Sequence, residues 1–317
     1  MGREPPSATG VDLLSREADI AADQYNRIQA LSSPGWNGVE KFRRHRRIGE
    51  SSHVLCAQRT EVKMEHEVVS REEWLERRVL LLKHEKALTQ HRDLVSAERL
   101  RLPWVRVEKE YIFDAPDGKL SLSELFQGRS QLYIKHFMMA PGAQHQCVGC
   151  SLQVDHMTDL LPHLENHDVT FAVVARAPIK EIEAVRERMG WKFLWVSSFH
   201  SDFNYDFNVS FRPEDVAAGR AQYNFQQAPD WTRDIQDLSG RSVFYKNDAG
   251  DVFHTYSAYG RGGEEVLGIY GILDSMPKGR NETGPNHSLT DWARPHNMYG
   301  KGGEVEANGR YHAQGRA

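Results

Sequence analysis

Two cysteines separated by two residues, Cys147 and Cys150, form the pattern in this sequence that points to a specific chemistry. They follow residues 132–137, which are dense in β-formers, and precede residues 151–167, which have helical character. A helix N-terminus carries partial positive charge and free N–H groups, which stabilise a thiolate and lower the pKa of a cysteine there. A second cysteine one turn further along can close a disulfide on a mixed intermediate. The spacing therefore predicts thiol redox chemistry, with Cys147 as the attacking thiolate and Cys150 as the resolving cysteine.

His145, two residues before the pair, is the third candidate catalytic residue. As an imidazolium it would favour a nearby thiolate, and as a base it could move a proton. A solvated loop histidine is the alternative interpretation of this residue.

Other interpretations of the cysteine pair stay open. The pair could serve packing alone, or it could be half of a zinc site, although such a site needs a second Cys/His pair and Cys56 is the only other cysteine. Thiolate and imidazole ligands also select Cu(I), and Cys147, Cys150, His136 and His145 could supply them. We therefore expect no cofactor for a redox function, and copper for the alternative of metal delivery or copper-assisted oxidation.

Three residues further along the chain are candidates for substrate binding. Arg176 follows the apolar run at 169–174, and the carboxyl ends of strands are where α/β folds bind ligands. Asp202 and Tyr205 lie in SDFNYDF at 201–207, a connector polar and aromatic enough to line the mouth of a site. A surface ion pair for Arg176 and a self-satisfied turn for the connector are the alternatives.

Composition and charge exclude several classes of protein. Apolar residues make up 39% and charged residues 26%, and 40 basic against 44 acidic residues give a net charge of −4, so there is no basic excess for nucleic acid. No apolar run approaches the roughly 18 residues of a membrane span. Three cysteines make no disulfide framework in 317 residues, and there is no secretory apolar run at the N-terminus. These features predict a cytoplasmic protein without a membrane partner.

The order of patterns predicts an α/β protein. Residues 1–65 are predicted to be a flexible extension, and residues 66–102 a long amphipathic helix that begins at a capping box and packs on the domain. Strands and helices then alternate through 103–280 and end in a hairpin and a helix, which predicts a three-layer sandwich with a mixed central sheet. The glycine-rich residues 281–317 are predicted to be a loose tail. The predicted strands are 132–137, 169–174, 193–196, 242–245 and 252–256, and the predicted helices are 151–167, 179–189 and 264–275.

Several short motifs resemble those of a thioredoxin-like bacterial family, catalogued mainly as a domain of unknown function. They are VSREEW at 69–74, LPWV at 102–105, the Cys-x-x-Cys pair, RMGW at 188–191, SDFNYDF at 201–207 and FHTYS at 253–257. The resemblance implies a thioredoxin fold of the peroxiredoxin-like type. It is consistent with reduction of a small disulfide or hydroperoxide, followed by re-reduction by a cellular thiol.

The sequence departs from the family and fold patterns at two places. The family usually has Cys-Pro-Gly-Cys, whereas Val148 replaces the proline here. Thioredoxins place a cis-proline before the strand that faces the dithiol, whereas Gly240 and Arg241 precede the predicted strand 242–245. The second departure favours a small oxidant or small thiol over a protein disulfide as the substrate.

Overall fold

A computed structural model describes residues 66–228 and 235–313, so the predicted extension at 1–65, with Cys56, lies outside the described residues. The helices are α1 (Arg71–Leu100), α2 (Val148–Asp155), α3 (Met157–Asn166), α4 (Ile179–Met189), α5 (Phe203–Asp206), α6 (Pro213–Ala217) and α7 (Gly268–Leu273). The strands are β1 (Val105–Arg106), β2 (Ile112–Ala115), β3 (Gly118–Ser121), β4 (Gln131–His136), β5 (Gln146–Cys147), β6 (Val169–Ala175), β7 (Leu194–Ser197), β8 (Gln222–Tyr223), β9 (Gln226–Gln227), β10 (Gly240–Lys246), β11 (Val252–Tyr259), β12 (Glu304–Val305) and β13 (Arg310–His312).

The main sheet has eight strands in the order β1-β11-β10-β4-β6-β7-β2-β3. β4, β6 and β7 are parallel, and their connections carry helices because parallel neighbours need a crossover. β10 is antiparallel to β4 and to β11, and α7 follows this hairpin. A βαβ unit followed by a β-hairpin and a helix, with strand order β11-β10-β4-β6, is the thioredoxin arrangement. The predicted fold class is therefore confirmed.

Alternation along the strands separates two apolar cores. On β6, Phe171 and Val173 point into a dithiol-side core with Cys147, Cys150 and residues of α2 and α4. Ala172, the residue between them, points into an opposite core that contains aromatic residues of β2 and α5. Both faces of the sheet are thus covered, which is why β6 is apolar at nearly every position.

Helix α1 begins where the sequence predicts, since the side chain of Ser70 accepts the N–H of Glu73 at 3.1 Å. None of its side chains is buried and Leu88 is 60% exposed. Near its end Arg99 pairs with Glu265 at 2.7 Å, so the helix contacts the domain there without burying an apolar face. Leu80, Leu81 and Leu82 are consecutive, so they point about 100° apart around the axis rather than along one stripe.

Helices α2 and α3 replace the single helix predicted at 151–167. The break falls at His156, and α2 already starts at Val148, directly after the first cysteine. No helix among the described residues is both long enough and apolar enough to cross a membrane.

Candidate active site

The two cysteines lie where the short strand β5 passes into helix α2. Cys147 is the N-cap of α2, with an extended backbone, and its sulfur accepts the N–H of Cys150 at 3.3 Å. Cys150 lies one turn into the helix, and its sulfur accepts the N–H of Met138 at 3.4 Å. The Met138 sulfur is 3.6 Å from that of Cys147. The predicted strand-to-helix placement of the pair is therefore what the structure shows.

The surroundings of the two thiols shift their pKa values in opposite directions, and they favour the thiolate at Cys150. Burial acts to raise the pKa of Cys150, yet the hydrogen bond from Cys147, the positive charge of Lys135 and hydrogen bonds from Met138 and Ser239 together lower it to about 6. The hydrogen bond to Cys150 raises the pKa of the Cys147 thiol, with burial adding to this. These shifts favour ionisation of one sulfur of the pair, at Cys150 rather than at Cys147, where the sequence places it. The helix N-terminus acts on Cys147 through one N–H, whereas Cys150 has several partners.

A cavity of about 460 Å³ opens over the dithiol. Both cysteines and Ser239 line it, together with charged side chains such as Arg280. Cys147 is 5% exposed and Cys150 1% exposed, so access to either sulfur runs through this cavity.

The C-terminal segment forms one wall of the cavity, through residues such as Thr290 and Gly309. β13 pairs antiparallel with β5, placing Arg310 opposite Cys147, and Tyr311 is buried. The structure thus differs from the prediction of a loose tail at 281–317 over its described part, residues 281–313. Glycine-rich composition suggested mobility, but Gly303 has a positive φ, and a Cβ there would lie 2.5 Å from the ring of Tyr311. Glycine at this position allows the tyrosine to pack closely.

A family comparison matches most of the chain. The profile of a family described as "Bacterial protein of unknown function (DUF899)" matches residues 63–299. The chain belongs to this bacterial family. No curated protein matches the chain.

Several solved structures are similar to the chain at low identity. Peroxidoxin BcpB from Mycobacterium tuberculosis is 10% identical, and the match covers 52% of this chain and 94% of that one, with a TM-score of 0.35. A mutant of PrxQ from Xylella fastidiosa is 14% identical over 52% and 89%, with a TM-score of 0.33. The mitochondrial 2-cys peroxiredoxin from Plasmodium falciparum is 11% identical over 54% and 91%, with a TM-score of 0.32. At these values the fold rests on the strand order described above, and these likenesses carry no argument about activity.

The backbone at Val148, where the resemblance implies a proline, contacts the C-terminal segment. The Val148 N–H donates to the carbonyl of Gly309 at 2.9 Å, and the side chain is fully buried beside Tyr311. Proline has no N–H and could not make this bond. In this member of the family, valine ties the cysteine motif to the C-terminal segment.

The residue before strand β10 is Ser239, and not Gly240 and Arg241 as predicted. The described residues contain no cis peptide bond, and β10 already begins at Gly240. A Cβ at Gly240 would lie 2.9 Å from the side chains of Tyr259 and Val209, so glycine permits this close packing. Ser239, just before the strand, lines the cavity beside the dithiol.

His145 lies beside His312, with ring centroids 5.9 Å apart, and does not line the cavity over the dithiol. Burial, with the nearby charge of Arg310, lowers the pKa of His145 to about 4. The structure therefore does not bring His145 to the dithiol cavity in either of its expected roles, as an imidazolium or as a base.

His136 points away from the dithiol because side chains alternate along β4. Its Nε2 is 2.9 Å from the hydroxyl of Ser242, and its ring stacks on Phe203 in the opposite core. Among residues 66–228 and 235–313, no group of three or more His, Cys, Asp or Glu side chains could hold a metal ion. The predicted copper ligand set of Cys147, Cys150, His136 and His145 is not assembled.

The three predicted binding residues form a network of their own. Arg176 pairs with Asp237 at 2.6 Å and donates to the hydroxyl of Tyr205 at 2.9 Å. Asp202 pairs with Lys109 at 2.9 Å and also with Arg212. None of the three lines the cavity over the dithiol, so the structure brings them together but away from the cysteines.

Sequence reasoning missed Lys135 and Ser239, both of which lower the pKa of Cys150. Lys135 did carry a signal, since it is the lone cation in the apolar run LYIKHF at 132–137. A charge is rarely buried without a partner, so a lysine inside a buried strand indicates a nearby anion.

Proposed function

We propose that this protein is a thiol–disulfide oxidoreductase or thiol peroxidase that acts on small molecules. The observation that carries the proposal is a free cysteine pair at the start of helix α2 that lines a cavity. Cys147 is the attacking sulfur because it is the more exposed of the two. It passes its proton to the Cys150 thiolate, to which its thiol is hydrogen-bonded.

Reduction of a small disulfide balances with these two thiols alone. The Cys147 thiolate attacks one substrate sulfur, the S–S bond breaks, and the first product leaves as a thiolate that takes a proton. Cys150 then attacks the sulfur of Cys147 and releases the second thiol product. The substrate gains two electrons and two protons, and the protein ends with a Cys147–Cys150 disulfide.

A hydroperoxide follows the same sequence. The Cys147 thiolate takes the terminal oxygen, the O–O bond breaks, and an alcohol forms after protonation, leaving a sulfenic acid on Cys147. Cys150 condenses with this group and releases water. In both reactions a cellular thiol reductant, itself oxidised to a disulfide, returns the pair to the dithiol.

Thiol counting tests the redox couple. Denatured reduced protein should show three thiols, the number of cysteines in the chain. After mild oxidation of the folded protein one thiol should remain, because the pair has closed. A Cys56→Ser variant is the matched control, falling from two thiols to none. Retention of all three thiols after oxidation would contradict the proposed disulfide.

Single serine variants test which sulfur attacks. Cys147→Ser should lose disulfide and hydroperoxide turnover, and Cys150→Ser should still form a mixed disulfide with a chromogenic aromatic disulfide and release one equivalent of thiolate. Full turnover by Cys147→Ser removes the assignment. If only the Cys147→Ser variant is trapped, the two roles are exchanged.

A further inference from the structure

A lysine is buried beneath the dithiol. Lys135 lies on β4, is 3% exposed, and its ammonium group donates to the hydroxyl of Ser239. β4 leads directly into the loop that carries Met138, whose N–H reaches Cys150. Lys135 and the cysteines therefore share the dithiol-side face of the sheet.

No carboxylate among the described residues faces Lys135. The groups that act on its charge are the thiols of Cys150 and Cys147, which raise its pKa, and Arg241, which lowers it. Burial outweighs these and lowers the pKa of Lys135 below its ordinary value. Arg241 is the cross-strand neighbour of Lys135 and has its own carboxylate, Glu265, at 2.9 Å. The thiols are thus the anions available to a buried cation whose desolvation is otherwise costly.

Ser239 lies between the ammonium group of Lys135 and the cysteine pair. Its hydroxyl accepts from Lys135, and its side chain lines the cavity together with both cysteines, where a hydrogen bond from Ser239 helps lower the pKa of Cys150. A serine hydroxyl can accept and donate at the same time, as a proton relay requires.

We propose that Lys135 holds, through the hydroxyl of Ser239, the proton that the dithiol gives up, and so keeps one sulfur ionised in the resting protein. The step is a proton transfer: the S–H bond of Cys150 breaks, Ser239 takes that proton and passes its own to the lysine nitrogen, and thiolate and ammonium form together. Lys135 touches no substrate and is a positioning residue. Its relevance to turnover rests on the proposed function, whereas its effect on the sulfur does not.

The test is a pH titration of the dithiol in the folded chain, followed by thiolate absorbance in the ultraviolet and by the rate of alkylation with iodoacetamide. Lys135→Met should move the thiolate midpoint upward by at least about one pH unit, which is a roughly tenfold slower alkylation at pH values below both midpoints. Ser239→Ala should move it in the same direction by less. At a pH above both midpoints, the alkylation rate of Lys135→Met should return to that of the wild type, which damage to the fold would not allow.

Lys246→Met is the matched control. This lysine lies on β10, but its ammonium group donates to the carbonyl of Ser123 and lies over the ring of Phe126, away from the cysteines. The thiolate midpoint of the Lys246→Met variant should equal that of the wild type.

The outcomes separate the two proposals. A midpoint for Lys135→Met within about 0.3 pH unit of the wild type, or a shift shared equally by Lys246→Met, overturns the role of Lys135. A shift confined to Lys135→Met and Ser239→Ala supports that role even if no disulfide or hydroperoxide is turned over. Such absence of turnover would overturn the proposed function alone.

Discussion

Replacing Tyr311 should uncover the dithiol. The tyrosine is 3% exposed, packs among Val148, Leu152 and Tyr270, and its hydroxyl donates to the carbonyl of Gly302 at 3.1 Å. It holds β13 against β5, and β5 contains the first cysteine. Removing the side chain weakens the docking of this segment more than it weakens the main sheet, which lies elsewhere.

The size of the effect follows from burial. Truncation of a fully buried aromatic side chain to alanine costs about 3–5 kcal/mol. If 3 kcal/mol of that falls on local opening of the segment, the open population rises about 100-fold, since each 1.4 kcal/mol is a factor of ten. Tyr311→Phe loses one hydrogen bond, worth about 0.5–1.5 kcal/mol, so its open population rises between about twofold and tenfold.

The assay is the rate at which a bulky aromatic disulfide reacts with the folded protein in water. We expect the order Tyr311→Ala, then Tyr311→Phe, then wild type. Phe113→Ala is the control for general destabilisation, because Phe113 is fully buried in the opposite core. If folded Tyr311→Ala reacts at the wild-type rate, or if Phe113→Ala reacts as fast, the C-terminal segment does not cover the cysteines.

Two further predictions concern stability. Asp237→Ala should lower the free energy of unfolding by about 3–5 kcal/mol, because it leaves the largely buried charge of Arg176 without its partner. Asp202→Ala is the control: its ion pairs are exposed, so it should lower the free energy of unfolding by less than about 1 kcal/mol. Equal losses for the two variants in urea unfolding would contradict this reasoning. Burial, with the charge of Lys135, lowers the pKa of His136 to about 3, so as pH falls below about 6.5 the unfolded chain binds a proton that the folded chain does not. Stability should therefore fall towards pH 3 by at most about 1.4 kcal/mol per pH unit, and His136→Gln should flatten this slope in urea unfolding at several pH values; an unchanged slope would show that His136 is not the group responsible.

The sequence predicted the parts of the fold that depend on local pattern. The apolar runs at 132–137 and 169–174 became β4 and β6, and Ser70 caps a helix as expected. The packing of α1 was not predictable in the same way. A long run rich in leucine and charge specifies a helix, but only the arrangement of those leucines around the axis decides whether one face can be buried.

In the candidate site, too, the features set by local sequence were predicted and those set by long-range contacts were not. The position of the cysteine pair followed from its flanking patterns, whereas the distribution of charge between Cys147 and Cys150 depends on Lys135 and Ser239, which come from β4 and from the residue before β10. His145 is near the pair in sequence but packs against His312. The prediction for His145 relied on its proximity in sequence, whereas long-range pairing of strands decides which group faces the sulfur.

Pairing of β5 with β13 has a consequence for synthesis of the protein. Cys147 and Arg310 are about half the chain apart, so the sulfur site is finished only after almost the whole described polypeptide has left the ribosome. Until then the C-terminal segment does not cover the two thiols, and strand β5 beside them is unpaired. We therefore expect both thiols to be more accessible to oxidants in a chain that still lacks its C-terminal segment than in the folded protein.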